Sequence, residues 1–260
     1  MPDLYGIIKA YGAVPKLTSF HRPMFIGPHP DDIEFGCGGL IAKLKEEGVP
    51  VVFLIATDGA SGSDDPSLTP EEVRNIREKE ALKASEFLGV DKVEFCRLED
   101  GGDYEVTDAI KAMIPYVLKY QPDIIFAPDP KLKTECHPDH LKIGEAVRRL
   151  IKLVPYREAL RRHGVSVGND VTLPSGITLA HYFSDDTNVR EAITQGQFEK
   201  KIGALKCHVS QMQDPSIELM LKYFYLKAQE LGKESETGLA EDYQVIVPLF
   251  QHCFTEGIHN

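Results

Sequence analysis

No stretch of the 260-residue chain approaches the run of about 18 apolar residues that a membrane-crossing helix needs. The first residues, Met1-Pro2-Asp3-Leu4, lack the charged and apolar regions of a signal peptide. A soluble, cytoplasmic protein is therefore expected. Cysteine is sparse and shows no pairing pattern. Cys37, Cys96, Cys136, Cys207 and Cys253 are odd in number and never spaced as CxxC, so they read as reduced, buried residues. Only Cys136, next to His137, falls near candidate chemistry. Positive charge is also short: 29 Lys and Arg stand against 40 Asp and Glu, a formal charge of −11, which disfavours a nucleic acid or an anionic membrane as partner. The longest basic stretch, Arg148-Arg149 to Arg161-Arg162, reads as a solvated helix face. There are no internal repeats, no low-complexity tract and no GxGxxG fingerprint, because Gly36-Cys37-Gly38-Gly39 has the wrong spacing and lies past the strand-to-helix turn.

What is present suits one α/β domain with a substantial core, since 42% of the residues are hydrophobic and 27% charged. After a short helix marked by Leu4, Ile7, Ile8 and Tyr11, apolar runs at 23–28, 49–57, 93–96 and 124–127 alternate with helical patterns. Ile33, Leu40, Ile41 and Leu44 form a stripe that stops at Gly48. Thr69-Pro70-Glu71-Glu72 reads as a capping box opening a helix that stops at Gly89. Another helix, 106–120, contains Pro115. The expected fold is a Rossmann-like three-layer sandwich with a mostly parallel sheet, its core at 23–150 and C-terminal decoration at 151–260. In that decoration, 177–183 reads as a strand, 198–209 and 217–231 as helices, and 243–247 as a short last strand at a sheet edge or subunit contact. The Gly, Ser and Asp-rich loop 60–68 is a candidate rim for a site.

Two polar stretches stand out. Pro28-His29-Pro30-Asp31-Asp32 follows the first apolar run, and His137-Pro138-Asp139-His140 follows the fourth; each opens a helix. Parallel topology brings both to the same sheet edge, where α/β proteins bind ligands. Together they supply two or three imidazoles and up to three carboxylates, enough for a three-ligand site with an open position on a divalent metal such as Zn²⁺.

This motif pair resembles the LmbE-like, PIG-L family of metal-dependent N-deacetylases. The family usually has Glu directly after the double Asp; here Ile33 intervenes and Glu34 follows, a spacing shared with members of the diacetylchitobiose deacetylase type. The resemblance covers 23–150 strongly, continues through Cys207-His208-Val209-Ser210-Gln211, and reaches Leu249-Phe250-Gln251-His252. It implies that His29, Asp32 and His140 hold one Zn²⁺ (Fe²⁺, Co²⁺ or Mn²⁺ suit the same donors), that Asp31 is the general base, and that His137 stabilises the oxyanion or acts as acid. It further implies that Arg77 and Asp100 contact substrate hydroxyls and that Asp139 orients His137 in support. Asp58 is a supporting residue at a strand end, and His252 reaches its own or a neighbouring subunit's site. His208 and its neighbours are expected to organise structure. A homo-oligomer, trimer or hexamer, follows by the same resemblance.

The function implied is removal of acetyl from an N-acetylglucosamine-containing small sugar or glycoside. Hydrolysis of another amide or ester would use the same residues. A sugar-binding protein with a structural metal is disfavoured by Asp31, a second carboxylate that a structural site has no need of.

Overall fold

The continuous apolar runs become the middle of a sheet because each strand there must be covered on both faces. The computed structural model describes residue 6, residues 12–213 and residues 216–253. The helix expected around Leu4, Ile7, Ile8 and Tyr11 lies outside the described residues, as does His259. Strands β1 (Pro23–Gly27), β2 (Val52–Thr57), β3 (Lys92–Leu98) and β4 (Ile124–Pro128) alternate with helices α1 (Asp32–Glu46), α2 (Pro70–Leu88), α3 (Val106–Tyr120) and α4 (Pro138–Leu153). Then follow α5 (Arg157–Arg162), β5 (Thr178–Tyr182), β6 (Val189–Ile193), α6 (Gln195–Leu205), α7 (Ser216–Leu231) and β7 (Leu239–Ile246).

The seven strands form one sheet in the order β3-β2-β1-β4-β5-β7-β6. The first five are mutually parallel, and β7 runs antiparallel to both its neighbours. Sequence order reverses between β1 and β4, so the loops leaving these strands diverge and open a crevice at their C-terminal ends. Alternation along the strands sends Met24 and Ile26 to one face, with α3 and α4, and Phe25 to the other, with α1, α2 and α6. Phe25 and Phe126 stack with ring centroids 4.4 Å apart. Burying each phenyl group contributes about 1.5–3 kcal/mol.

Local signals hold where they are chemically explicit. Glu72 N donates to Thr69 Oγ1 at 3.3 Å and Thr69 N donates to Glu72 Oε2 at 2.8 Å, which is the capping box, and Gly89 ends α2 with φ 77°. Helix α3 continues through Pro115.

The last third of the chain adds β5, β6 and β7 to the sheet: Tyr182 and Tyr243 are fully buried, and Tyr182 Oη donates to Ile26 O at 2.9 Å. Several details are corrected. Strand β7 is longer than 243–247 and lies inside the sheet; the edge belongs to β6, whose half-exposed Val-Arg-Glu-Ala-Ile has no apolar run to betray it. Helix α6 begins earlier, at a Thr194 capping box, and ends at Leu205. Cys136 and Cys253 are exposed, not buried; all five cysteines are free.

Two glycines of α1 are there for contact. A Cβ on Gly36 would lie 2.4 Å from the Tyr182 ring, and one on Gly39 would lie 3.0 Å from the Glu241 carboxylate. Their absence of side chains lets α1 rest directly on β5 and β7.

Candidate active site

The crevice between β1 and β4 is where the two polar stretches meet. Pro28-His29-Pro30-Asp31 turns from β1 into α1, and the chain from β4 returns through Glu135-Cys136-His137 into α4. His29 N donates to Asp32 Oδ2 at 2.8 Å, which folds the turn back on its own helix. Asp31 sits there at φ 121°, a backbone region that L-residues rarely adopt, at a cost of about 1–3 kcal/mol.

The carboxylate of Asp32 lies between two imidazoles. His29 Nδ1 is 3.0 Å from Oδ2 and His140 Nε2 is 3.2 Å from Oδ1. The far nitrogen of each ring also faces a carboxylate: His29 Nε2 is 3.2 Å from Asp139 Oδ2 and 3.3 Å from Asp100 Oδ1, and His140 Nδ1 is 3.0 Å from Glu135 Oε2. The Glu135 contact is close in distance but not aligned as a hydrogen bond. His137 joins from the side, its ring centroid 4.6 Å from that of His29 and 5.2 Å from that of His140. Imidazole nitrogens of His29, His137 and His140 lie within 4.8 Å of one another.

The titratable groups of this cluster shift in opposite directions. Burial alone would lower the pKa of His29, but bonds to Asp100, Asp139 and Asp32 drive it up to about 12. His140 is likewise raised, Asp32 outweighing burial. Asp32 is held well below the carboxylate range despite its burial, by His140 and His29. Asp31 moves the other way: burial pushes it up, Arg77 opposes, and Asp32 adds to the rise, leaving it at about 6. His137 is lowered by burial and by the neighbouring rings.

The donor set fits a divalent metal ion. Imidazole nitrogens of His29, His137 and His140 come within 4.8 Å of one another, as do ligand atoms of His29, Asp100 and Asp139, and Asp32 touches both His29 and His140.

The expected roles sort as follows. Asp139 does not orient His137. Its carboxylate accepts from His29 Nε2, from Gly101 N at 2.9 Å and from Tyr104 Oη at 2.8 Å; the only bond to His137 is backbone, Asp139 N donating to Nδ1 at 3.3 Å. That bond leaves Nε2 of a neutral His137 carrying the proton. Asp139 is 0% exposed because α4 turns its side chain inward, under His29. Arg77 lines the site, but its guanidinium is committed: it donates to Gly59 O at 3.0 Å, to Pro30 O at 2.9 Å and to Asp31 Oδ2 at 3.3 Å. Asp100 accepts from Ser61 N at 3.1 Å. Asp58 Oδ1 accepts from Ala60 N and from Asp100 N, tying the ends of β2 and β3 together. His252 is exposed after the turn Pro248–Gln251 and, among the described residues, does not join the cluster.

His208 organises structure as expected: buried, with Nε2 3.2 Å from Glu34 Oε1. Ser210 N and Oγ donate to Glu80 at 2.8 and 2.6 Å, and Gln211 Nε2 donates to Gly62 O at 3.0 Å, which fastens the loop at 59–62 over Arg77. Glu135 and Tyr104 lie outside the expected site residues, and of these Glu135, two positions before His137 in a polar stretch, carries some signal; Ser61 belongs to the loop 60–68 expected as a rim, and Gln211 to the stretch expected to organise structure.

A pocket of about 280 Å³ opens here, lined by His29, Asp31, Ser61, Arg77, Asp100 and His137 together with Gly62 and Gln211.

Known proteins are similar to this chain in sequence and fold. The profile of the PIG-L, GlcNAc-PI de-N-acetylase, family matches residues 24–151. A diacetylchitobiose deacetylase of Thermococcus kodakarensis is 31% identical over 235 residues, covering 89% of this chain and 85% of that protein. A probable N-acetyl-alpha-D-glucosaminyl L-malate deacetylase 2 of Bacillus anthracis is 26% identical, covering 84% of this chain and 88% of that protein. The structure of N,N'-diacetylchitobiose deacetylase from Pyrococcus horikoshii, complexed with an inhibitor, superposes with a TM-score of 0.85 at 28% identity, over 96% of this chain and 94% of that one.

Proposed function

Since the chain belongs to the PIG-L family of de-N-acetylases and is an amide hydrolase of that kind, we propose that it removes the acetyl group of an N-acetylglucosamine-containing small sugar or glycoside. The observation that carries this reading is Asp31, a carboxylate on strained backbone, tied to Arg77 and set beside a metal-type donor set.

His29, Asp32 and His140 would hold the ion, Zn²⁺ by donor type, with Fe²⁺, Co²⁺ or Mn²⁺ accepted by the same set. Such an ion supplies Lewis acidity, which makes water a nucleophile near neutral pH. The remaining work falls to the chain. Asp31 takes the proton of the water as its oxygen bonds to the acetamide carbon, and Arg77 keeps that carboxylate aimed. His137, through its Nε2 N–H, hydrogen-bonds the oxygen that becomes negative, and the proton taken by Asp31 passes to the amine as the carbon–nitrogen bond breaks. Asp100 meets substrate hydroxyls beside Arg77, whose bonds to Gly59 O, Pro30 O and Asp31 hold that wall of the pocket, and acetate and a free amino sugar leave.

The same reading includes a cytoplasmic homo-oligomer, trimer or hexamer. Among the described residues no helix is long and apolar enough to cross a membrane, and the cysteines are free. Helix α7 exposes Leu219, Tyr223 and Leu226 along one face, which suits a subunit contact, and exposed His252 is available to a neighbouring copy.

Acetate release from N-acetylglucosamine, diacetylchitobiose and N-acetylglucosaminyl-inositol is the test. Release from at least one sugar, abolished by Asp31→Asn, is expected; a protein that binds these sugars and releases no acetate from any would overturn the reading in favour of a binding role.

A further inference from the structure

A second cavity, about 360 Å³, adjoins the catalytic pocket and shares Asp31, Gly62 and Gln211 with it. Alone, the catalytic pocket of about 280 Å³ is at the lower limit of small-molecule sites, roughly 300–1,000 Å³. Joined to its neighbour it has room for a second ring. Phe35, Met212, Ile217 and Met220 give the second cavity apolar surface, and Ser63 and Ser210 give it hydroxyls. Its charges have one sign: Asp31 and Asp64 line it, and among the described residues no Lys, Arg or His does.

We propose that this second cavity is the aglycone subsite and that it selects N-acetylglucosamine glycosides with a neutral ring as aglycone over those whose aglycone carries a carboxylate. The inference rests on the deacetylase reading above and specifies which members of that substrate class are taken. A neutral pyranose or cyclitol has a CH face for the apolar side chains and hydroxyls for Ser63 and for the Gln211 side-chain carbonyl, the Gln211 Nε2 being spent on Gly62 O and Ser210 Oγ. A carboxylate placed there meets Asp64, lies beside an Asp31 already paired with Arg77, and among the described residues finds no cation lining the cavity, so it gives up hydration without a partner. Arg77 cannot serve, because its terminal nitrogens already donate to Gly59 O, Pro30 O and Asp31. The formal charge of −11 also slows the approach of an anionic substrate.

The deciding experiment compares kcat/KM for acetate release from free N-acetylglucosamine and from two disaccharides in which it is β-linked to glucose or to glucuronate. The two differ only in the carboxylate. The glucose compound is expected to exceed the glucuronate compound by about tenfold or more, and Asp64→Lys, a change on an exposed loop, is expected to narrow that ratio at least severalfold by raising the rate on the glucuronate compound. Equal values for the two disaccharides, or a ratio that Asp64→Lys does not move, would overturn the subsite while leaving the deacetylase reading standing. No acetate from any of the three, with metal supplied, overturns both.

Discussion

Helix α1 carries two buried carboxylate clusters, one at its start and one at its middle, and they are built to opposite specifications. At the middle, Glu241 accepts from Gly39 N at 3.1 Å, Leu40 N at 2.8 Å, Tyr243 Oη at 2.8 Å and Lys201 Nζ at 2.6 Å. One carboxylate faces one ammonium, and every lone pair has a donor. At the start, Asp31, Asp32, Asp100 and Asp139 crowd around His29, His140 and a single Arg77. The backbone at Asp31 is strained, and the Arg77 Nε and His140 Nδ1 atoms are buried without an aligned partner. A saturated cluster is finished by folding; one with surplus negative charge and unspent donors is finished by something the chain does not supply. The contrast between the two clusters lies in their surplus charge as well as in their donors.

The sharpest way to break that contrast is to change one carboxylate in each cluster. Asp31→Asn is expected to lower kcat for acetate release by about 10²–10⁴-fold with the fold intact, because only the base is lost. Glu241→Gln is expected to lower stability to urea by about 3 kcal/mol, leaving Lys201 buried and uncompensated, with the rate per folded molecule unchanged. Exchanged phenotypes would contradict the division between them.

A buried group outside both clusters gives a pH test. His181 is 0% exposed, its Nδ1 lies 3.0 Å from Pro128 O and its Nε2 lies 3.2 Å from Arg148 Nη1, so the ring is wired as the neutral tautomer with the proton on Nδ1. Burial pushes its pKa down to about 4, with Asp129 partly offsetting and Arg148 reinforcing. The unfolded chain takes up that proton below about 6.5 while the folded chain does not. Stability from this group is therefore complete above pH 6.5 and falls by up to ~3 kcal/mol as pH drops toward 4. Urea unfolding of wild type and His181→Gln across pH 7 to 4.5 should show a shallower decline in the variant.

Smaller effects sharpen the boundary of the site. Glu135→Gln, which weakens the carboxylate behind His140, is expected to reduce metal affinity about 10–100-fold, measured by chelator competition. Thr69→Ala, at the α2 cap far from either cluster in role, is expected to cost about 1 kcal/mol and leave acetate release alone.

Much of this was legible before any coordinates. The two histidine–carboxylate stretches are contiguous in sequence, and the strand–helix alternation around them is regular, so their meeting at one sheet edge follows from parallel topology. The partners were not legible. Asp139 sits beside His137 in the chain yet serves His29, because helical geometry turns the side chain at the second position of α4 inward. Glu241 and Lys201 lie 40 residues apart in sequence and meet on α1 only because β7 enters the sheet interior. Strand β6 escaped because an edge strand needs burial on few positions, and Gln211 because its place at the site depends on the loop at 59–62.

The most direct single measurement is acetate release from diacetylchitobiose by chelator-treated protein as Zn²⁺ is titrated back, beside the same titration of Asp32→Asn. If the cluster at the start of α1 is completed by one metal ion, activity returns with a break near one equivalent in the wild type, and the variant recovers little. Full activity in the chelated protein, or equal recovery in Asp32→Asn, would contradict it.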